Sequence, residues 1–231
     1  MNEKFTGFKQ ETLHFYSKLS QNNNRDWFQS HQDIYRKFVL NPAQQFVIEL
    51  GQRLASFSPE VVFDLRLNGS GSIFRINRDI RFSKDKSPYK TFLGILFWSN
   101  FGRKTGSPGY YFHLEPEGLF LYSGIHGFTK IQRDKFRSAV TDKTSGTELV
   151  HAVNQISKSG EYSIGGKNLK RFPPGYPNDQ PSSEYLLFTG LHAGINTGIP
   201  KEFESSDLID FCFRHFQAMS PIYDWLESNI F

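Results

Sequence analysis

Residues 75–90, from Arg75 to Lys90, concentrate side chains that could bind an anion. This stretch, called the basic segment below, is RINRDIRFSKDKSPYK, with six basic and two acidic residues and a formal net charge of +4. The basic residues are Arg75, Arg78, Arg81, Lys84, Lys86 and Lys90, and the acidic ones are Asp79 and Asp85. Guanidinium groups bind phosphate and carboxylate oxygens through paired hydrogen bonds, and lysines add point charges. We therefore expect an anion-binding site here, with Tyr89 and His113 orienting the ligand.

The rest of the chain carries no charge excess. The whole sequence has 27 basic and 23 acidic side chains, so 21 of each remain outside the basic segment. A local patch of this kind attracts anions without making the whole surface basic. The neutral remainder argues against a long footprint on duplex nucleic acid.

The elements around the basic segment predict an α+β fold. The first 57 residues have helical periodicity, strand patterns follow, and helices resume at Thr129, with a last helix from about Ser206. Strands are expected near residues 61–68, 72–77, 91–98, 109–114 and 119–123. This order predicts one domain over residues 1–231, with an antiparallel-rich central sheet and N- and C-terminal helices packed mainly on one face. Residues 158–183, rich in Gly, Pro, Ser and Lys, are expected to form a loop that could close over the segment, and a short helix is expected at 184–189.

A second group of polar side chains lies in the sequence YYFHLEPEGLFLYSG, which predicts an antiparallel hairpin. Side chains alternate along a strand, so His113 shares a face with Tyr111 and Glu115. His113 could act as an acid or base, and Asp79 or Asp85 as a base or magnesium ligand. The more ordinary interpretation is a hydrogen-bonded histidine and a set of ion pairs that hold the loop, Asp79 with Arg75 or Arg81 and Asp85 with Lys86 or Arg78.

Composition narrows the class of protein further. Cys212 is the only cysteine, which excludes an internal disulfide and a cysteine-based zinc site. No apolar run has the length of a membrane span, and the first ten residues have no apolar core typical of a leader. We expect a cytoplasmic protein with no membrane partner. No dinucleotide fingerprint, phosphate loop or nucleophile elbow occurs, so we predict no cofactor and no bound metal, with magnesium left open.

The basic segment resembles the uncharacterised domain-of-unknown-function family numbered 2461. The family's charged motif is matched at Arg75, Arg78, Asp79, Arg81, Phe82, Asp85, Lys86 and Tyr89. The N-terminal FTGF…FYSKLSQNNNRDWF and the later YYFHLEPEG and NLKRFPPGYPNDQPSSEYLLF also look like parts of that family, so the resemblance covers most of the chain. It implies a single domain and a mainly bacterial, cytoplasmic setting, but no activity. Phe92 departs from the pattern, because a polar residue, often His, is expected there.

Three functional hypotheses follow from these residues. The leading one is a site for a phosphate-bearing ligand, such as a nucleotide, a nucleic-acid end or a phosphorylated metabolite. The second is an enzyme that processes a phosphoester with Asp79, Asp85 and His113. The third is a module that binds nucleic acid or an acidic protein. A purely structural ion-pair cluster is the alternative to all three, although two carboxylates cannot neutralise six cations.

Overall fold

The computed structural model describes residues 4–177 and 179–231, and its fold is α+β. Residue 178, in the predicted loop 158–183, lies outside the described part, as do residues 1–3. The helices are α1 Gln10–Gln21, α2 Arg25–Ser30, α3 Gln32–Tyr35, α4 Asn41–Phe57, α5 Lys130–Thr141, α6 Lys143–Ser157 and α7 Leu208–Ile230, with a π-helix at Arg36–Leu40. Short 3-10 helices occur at Lys104–Gly106, Ser183–Leu187 and Lys201–Glu204.

Six strands form one antiparallel sheet in the order β1-β2-β3-β4-β6-β5. The strands are β1 Val61–Val62, β2 Leu93–Ser99, β3 Gly109–Glu115, β4 Gly118–Ile125, β5 Ser163–Lys167 and β6 Phe188–Asn196. Strands β5 and β6 pair with Ile164 opposite Ala193, and the register shifts between Gly165 and Lys167. The predicted α+β class, central sheet and terminal helices that pack against it are confirmed.

The described chain divides into two compact units. The first holds the residues up to Phe97, Tyr111–Phe120 and Asn196–Arg214, and the second holds Trp98–Tyr110, Leu121–Ile195 and His215–Phe231. That one domain extends over residues 1–231 stays a prediction. Among the described residues, no helix is long and apolar enough to cross a membrane.

The first unit has an aromatic core. Phe8 and Phe46 from the N-terminal part contact Phe112 of β3 at centroid distances of 6.0 and 4.7 Å. Phe112 is fully buried, whereas its neighbours Tyr111 and His113 are only partly buried. Because side chains alternate along β3, the helices cover the face of Phe112, and Tyr111 and His113 lie on the opposite face.

The second unit packs around aromatic side chains of helix α7. Phe216 and Tyr223 contact the buried Tyr110 ring at centroid distances of 5.2 and 4.8 Å. Trp225 packs edge-on against Phe136 of α5 and donates its indole N–H to a backbone carbonyl at the start of α6. These contacts fix three helices together.

Several local predictions differ from the structure. The strand expected at residues 61–68 is limited to β1, because the chain turns back so tightly that a Cβ on Gly71 would lie 1.9 Å from the Arg66 carbonyl oxygen. The expected strand at 72–77 forms two isolated bridges rather than a continuous ladder.

The C-terminal half of the sheet was missed. Residues 158–183 contain β5, and the short helix expected at 184–189 is a 3-10 turn followed by β6. Gly190 and Gly194 weaken the strand pattern of β6, since glycine is unfavourable within strands. The structure needs both, because a Cβ on Gly190 would lie 2.1 Å from the His126 carbonyl oxygen and one on Gly194 would lie 2.4 Å from the Tyr122 ring.

Candidate functional site

The two ends of the basic segment lie side by side in the first unit. Asn77 and Tyr89 form an antiparallel bridge, Arg78 N–H donates to the Pro88 carbonyl at 2.9 Å, and Lys90 N–H donates to the Ile76 carbonyl at 2.7 Å. The residues between these ends form an exposed loop with no regular secondary structure. The basic segment is therefore an exposed loop whose two ends are joined by backbone hydrogen bonds.

Tyr89 anchors this segment to the N-terminal helices. Its residue is 7% exposed, and its ring stacks on Phe28 with the centroids 4.3 Å apart. The Asn23 side chain accepts from Tyr89 N–H at 3.0 Å and donates to the Tyr89 carbonyl at 2.9 Å. Because the ring packs into the core, Tyr89 anchors the basic segment to the N-terminal helices.

Both carboxylates of the segment pair with arginines. Arg81 donates two hydrogen bonds to Asp79, from Nε at 3.0 Å and from Nη2 at 2.7 Å. Arg78 pairs with Asp85, which also accepts two hydrogen bonds from Ser87. These are two of the pairings that the sequence left open.

These contacts make the two carboxylates weak bases. Hydrogen bonds from Arg81 are the main cause that lowers the pKa of Asp79 to about 2. The pKa of Asp85 is lowered further, first by the Ser87 hydroxyl and then by the Arg78 guanidinium. A general base works best when its pKa lies near the working pH. The low pKa of each carboxylate therefore argues against Asp79 or Asp85 as a general base.

Four cations of the segment form no ion pair within the described part of the chain. Across residues 4–177 and 179–231, no acidic side chain forms an ion pair with Arg75, Lys84, Lys86 or Lys90. Lys86 Nζ instead donates to the Ile80 carbonyl at 3.0 Å, and Lys90 Nζ donates to the Arg75 carbonyl at 2.8 Å. Each of the two ion pairs joins one arginine to one carboxylate, so four positive charges of the segment are not neutralised by an ion pair.

Arg75 and Lys90 form a corner where two cations lie close together. Lys90 is half-buried, and its Nζ lies 5.4 Å from the centroid of the Phe74 ring. Partial burial lowers the pKa of Lys90, and the positive charge of Arg75 lowers it further. Two like charges held together repel each other, and an anion bound between them would remove that repulsion.

The face of β3 opposite the core carries a hydrogen-bonded row of three side chains, Tyr111, His113 and Glu115. The Tyr111 hydroxyl lies 3.2 Å from His113 Nδ1, and His113 Nε2 lies 3.3 Å from Glu115 Oε2. An ionised carboxylate only accepts hydrogen bonds, so Nε2 carries a proton, and in the neutral imidazole Nδ1 then accepts from the Tyr111 hydroxyl. The predicted shared face is confirmed, and it places His113 between an acid and a hydroxyl.

Aromatic rings of the first unit hold this row in place. Phe92 stacks on His113 at 4.2 Å, Phe120 meets His113 edge-on at 5.5 Å, and Phe74 meets Tyr111 edge-on at 5.9 Å. We call these six residues the strand-face cluster: Phe74, Phe92, Tyr111, His113, Glu115 and Phe120. Phe92, which departs from the expected polar residue, thus contributes the ring that covers one side of the histidine.

Sequence reasoning missed how the cluster connects to the basic segment. Phe74 contacts both the Tyr111 ring and the Lys90 ammonium. Gly94 of β2 gives the Tyr111 hydroxyl its space, since a Cβ there would lie 2.7 Å from that oxygen. Strand alternation predicts neither contact, because both depend on which strands pair.

In the described part of the chain, no three His, Cys, Asp or Glu side chains lie together in a group that could hold a metal ion. Asp79 and Asp85 are occupied by arginines, and His113 by Tyr111 and Glu115.

Comparison with known proteins identifies a family but no activity. A family model described as "Conserved hypothetical protein (DUF2461)" matches residues 11–225. The chain therefore belongs to that family, as the resemblance of the basic segment predicted. No curated protein matches the chain.

Proposed function

We propose that this member of the DUF2461 family binds a phosphate-bearing ligand at the corner formed by Arg75 and Lys90. The observation that carries the proposal is the pair of adjacent cations, neither of which forms an ion pair with a carboxylate among the described residues. Phosphate oxygens accept hydrogen bonds from guanidinium and ammonium groups and neutralise both charges. The exposed Lys84 and Lys86 would add attraction from solution.

The arginines engaged with carboxylates have a secondary place in the site. Arg78 and Arg81 already have partners, so a ligand would have to compete with Asp85 and Asp79 for them. Arg75 forms no ion pair with a carboxylate in the described part of the chain, and its charge makes only the smallest contribution to the lowered pKa of Asp79. We therefore expect the corner to supply most of the affinity, and the paired arginines to shape the loop.

A thermal-shift experiment at low salt tests whether the corner contributes more to the affinity than the paired arginines do. The probes are inorganic phosphate, pyrophosphate and AMP, with sodium chloride at equal ionic strength as the control. A ligand at about 100 times its dissociation constant stabilises the native state by about 2.7 kcal/mol. For a chain of this size that corresponds to about 5 °C or more in the melting temperature.

Two double variants of equal charge separate the corner from the paired arginines. Arg75→Gln with Lys90→Gln should lose the shift, whereas Arg78→Gln with Arg81→Gln should retain part of it. Full retention by the first variant would overturn the proposal, and so would the absence of a shift in the wild type with all three probes.

A second candidate function is single-stranded nucleic-acid binding, which one feature of the loop favours. Phe82 is 95% exposed, and the Arg81 guanidinium lies 5.9 Å from its ring. Base stacking on exposed aromatic rings beside cations is how many proteins hold single strands. Fluorescence anisotropy with a short oligonucleotide should show an affinity that falls steeply with salt and weakens in Phe82→Ala. An affinity unchanged by Phe82→Ala would remove this candidate.

A further inference from the structure

Tyr111, His113 and Glu115 have the arrangement of a nucleophile, a base and an orienting carboxylate. In covalent catalysis, a hydroxyl is activated by a base within hydrogen-bond reach, which a third group holds in the right tautomer. The distances of 3.2 and 3.3 Å fit the loose end of that range, which is common before a ligand binds. Glu115 fixes the proton on His113 Nε2 and leaves Nδ1 free to accept from Tyr111.

The aromatic rings around the row restrict how the histidine can move. Phe92 covers one side of the His113 ring, and Phe120 meets it edge-on. A hydrogen-bonded row in solvent would exchange its partners with water, but these contacts hold the ring in one orientation. Gly94 keeps space beside the Tyr111 hydroxyl, which a methyl group would fill.

The anion corner lies next to this row. The Phe74 ring contacts both the Tyr111 ring, at 5.9 Å, and the Lys90 ammonium, at 5.4 Å. Because both contacts involve the same ring, the corner and the row are neighbours within the first unit. Cations beside a phosphorus centre also stabilise the charge that develops during phosphoryl transfer.

We propose that Tyr111 is a nucleophile that attacks a phosphoester bound at the corner of Arg75 and Lys90, with His113 as its base and Glu115 as a positioning residue. This inference rests on the proposed anion binding and adds the reaction class and the group that reacts. It assigns the chemistry to the strand-face cluster rather than to Asp79 or Asp85.

The reaction has two balanced steps. In the first, the Tyr111 hydroxyl proton passes to His113 Nδ1, a bond forms between the tyrosine oxygen and phosphorus, and the bond from phosphorus to the leaving oxygen breaks. The leaving oxygen takes the proton from His113. In the second, water gives a proton to His113 and its oxygen bonds to phosphorus, the bond to Tyr111 breaks, and the tyrosine oxygen takes that proton back.

The test uses bis(4-nitrophenyl) phosphate, an anionic phosphodiester whose cleavage releases coloured 4-nitrophenolate. Wild-type protein should release it and, after an acid quench, show one phosphoryl adduct by intact-mass analysis, located on Tyr111 by peptide mapping. Tyr111→Phe should reduce release to the rate without protein. His113→Gln should slow it at least about 100-fold, since a positioned base contributes about that much or more.

The matched control is Tyr122→Phe, which removes a half-buried tyrosine hydroxyl from β4 and should leave release and adduct unchanged. Glu115→Gln should lower the rate but leave the pyrophosphate-induced thermal shift unchanged, a split that a purely structural role would not produce. Far-ultraviolet circular dichroism and melting temperature establish that each variant folds.

Binding and reaction can fail separately. If pyrophosphate shifts the melting temperature but no nitrophenolate or adduct forms, the nucleophile is overturned and anion binding stands. Release that is unchanged in Tyr111→Phe also overturns it. If neither a shift nor release occurs, both proposals are wrong.

Discussion

The basic segment and the strand-face cluster both pair charged or polar side chains, but they do so in different surroundings. In the segment, Arg81 and Asp79 are two residues apart on an exposed loop, with 76% and 48% of their side chains exposed. In the cluster, Tyr111 and His113 are also two residues apart, but they are half-buried and flanked by aromatic rings. The local spacing is the same, and the packing differs.

This difference in packing suits the two regions to different tasks, the segment to attracting an anion and the cluster to positioning a reacting group. Exposed ion pairs contribute little to stability because water and salt screen them, and they exchange partners readily. The segment is therefore suited to drawing in an anion and rearranging around it. The cluster holds one hydrogen-bonded arrangement, as a reacting group requires.

The strongest prediction concerns the one aromatic residue of the segment that belongs to the core. Tyr89→Ala should lower the free energy of unfolding by about 3 kcal/mol or more, as is usual for truncating a buried aromatic side chain. It removes the stack on Phe28. Urea denaturation measures the change.

Phe82→Ala is the control within the same segment. Its side chain is 95% exposed, so the free energy of unfolding should change by less than about 0.5 kcal/mol. Equal effects of the two truncations would mean that the segment has no anchored end, and the contrast between it and the cluster would be lost.

The sequence predicted those contacts of the site that join residues close together in the chain. Alternation along β3 predicted that Tyr111, His113 and Glu115 share a face, and neighbouring charges predicted that Asp79 pairs with an arginine. Both depend on residues a few positions apart. Such contacts follow from local geometry once the strand or loop is known.

The contacts that were not predicted join distant parts of the chain. Tyr89 is held by Asn23, 66 residues away, so its spacing within the charged motif gave no sign of burial. The stack of Phe92 on His113 and the room at Gly94 depend on how β2 and β3 align. Strand register is set by the whole sheet, and a single sequence does not determine it by spacing alone.

A smaller effect is expected where β2 makes room for the cluster. Gly94→Ala would place a methyl group 2.7 Å from the Tyr111 hydroxyl and 3.3 Å from Phe74 Cδ2. Overpacking of this kind costs about 1–3 kcal/mol. We also expect the hydrogen bond between Tyr111 and His113 to break, which the nitrogen-15 chemical shift of His113 Nδ1 would report.

Gly106→Ala is the control, because a Cβ there meets nothing within 4 Å. It should leave both the unfolding free energy and the His113 shift unchanged. If Gly94→Ala also leaves the His113 signal unchanged, the cluster is as adaptable as the exposed loop.

The smallest effect concerns the exposed pair of Arg81 and Asp79. The pKa of Asp79 is lowered from 3.8 to about 2, chiefly by hydrogen bonds from Arg81, so Arg81→Gln should return it towards 3.8. Because the folded-state pKa is depressed, the stabilisation is fully present above pH 3.8 and is lost as the pH falls through about 2. The stability difference between wild type and variant should therefore disappear in strong acid.

Carbon-13 NMR titration of the Asp79 carboxyl group measures this pKa, with Lys84→Gln as a control that removes an equal charge without a hydrogen bond to Asp79. Raising the salt concentration should reduce only the Coulombic part of the shift, because screening acts on charge at a distance more than on a direct hydrogen bond. An equal shift in both variants would mean that the overall charge of the segment, rather than the pairing of Arg81, holds Asp79 ionised. The segment would then hold Asp79 ionised through its total positive charge and not through one specific partner. It would differ even more from the strand-face cluster, whose side chains are held by specific hydrogen bonds.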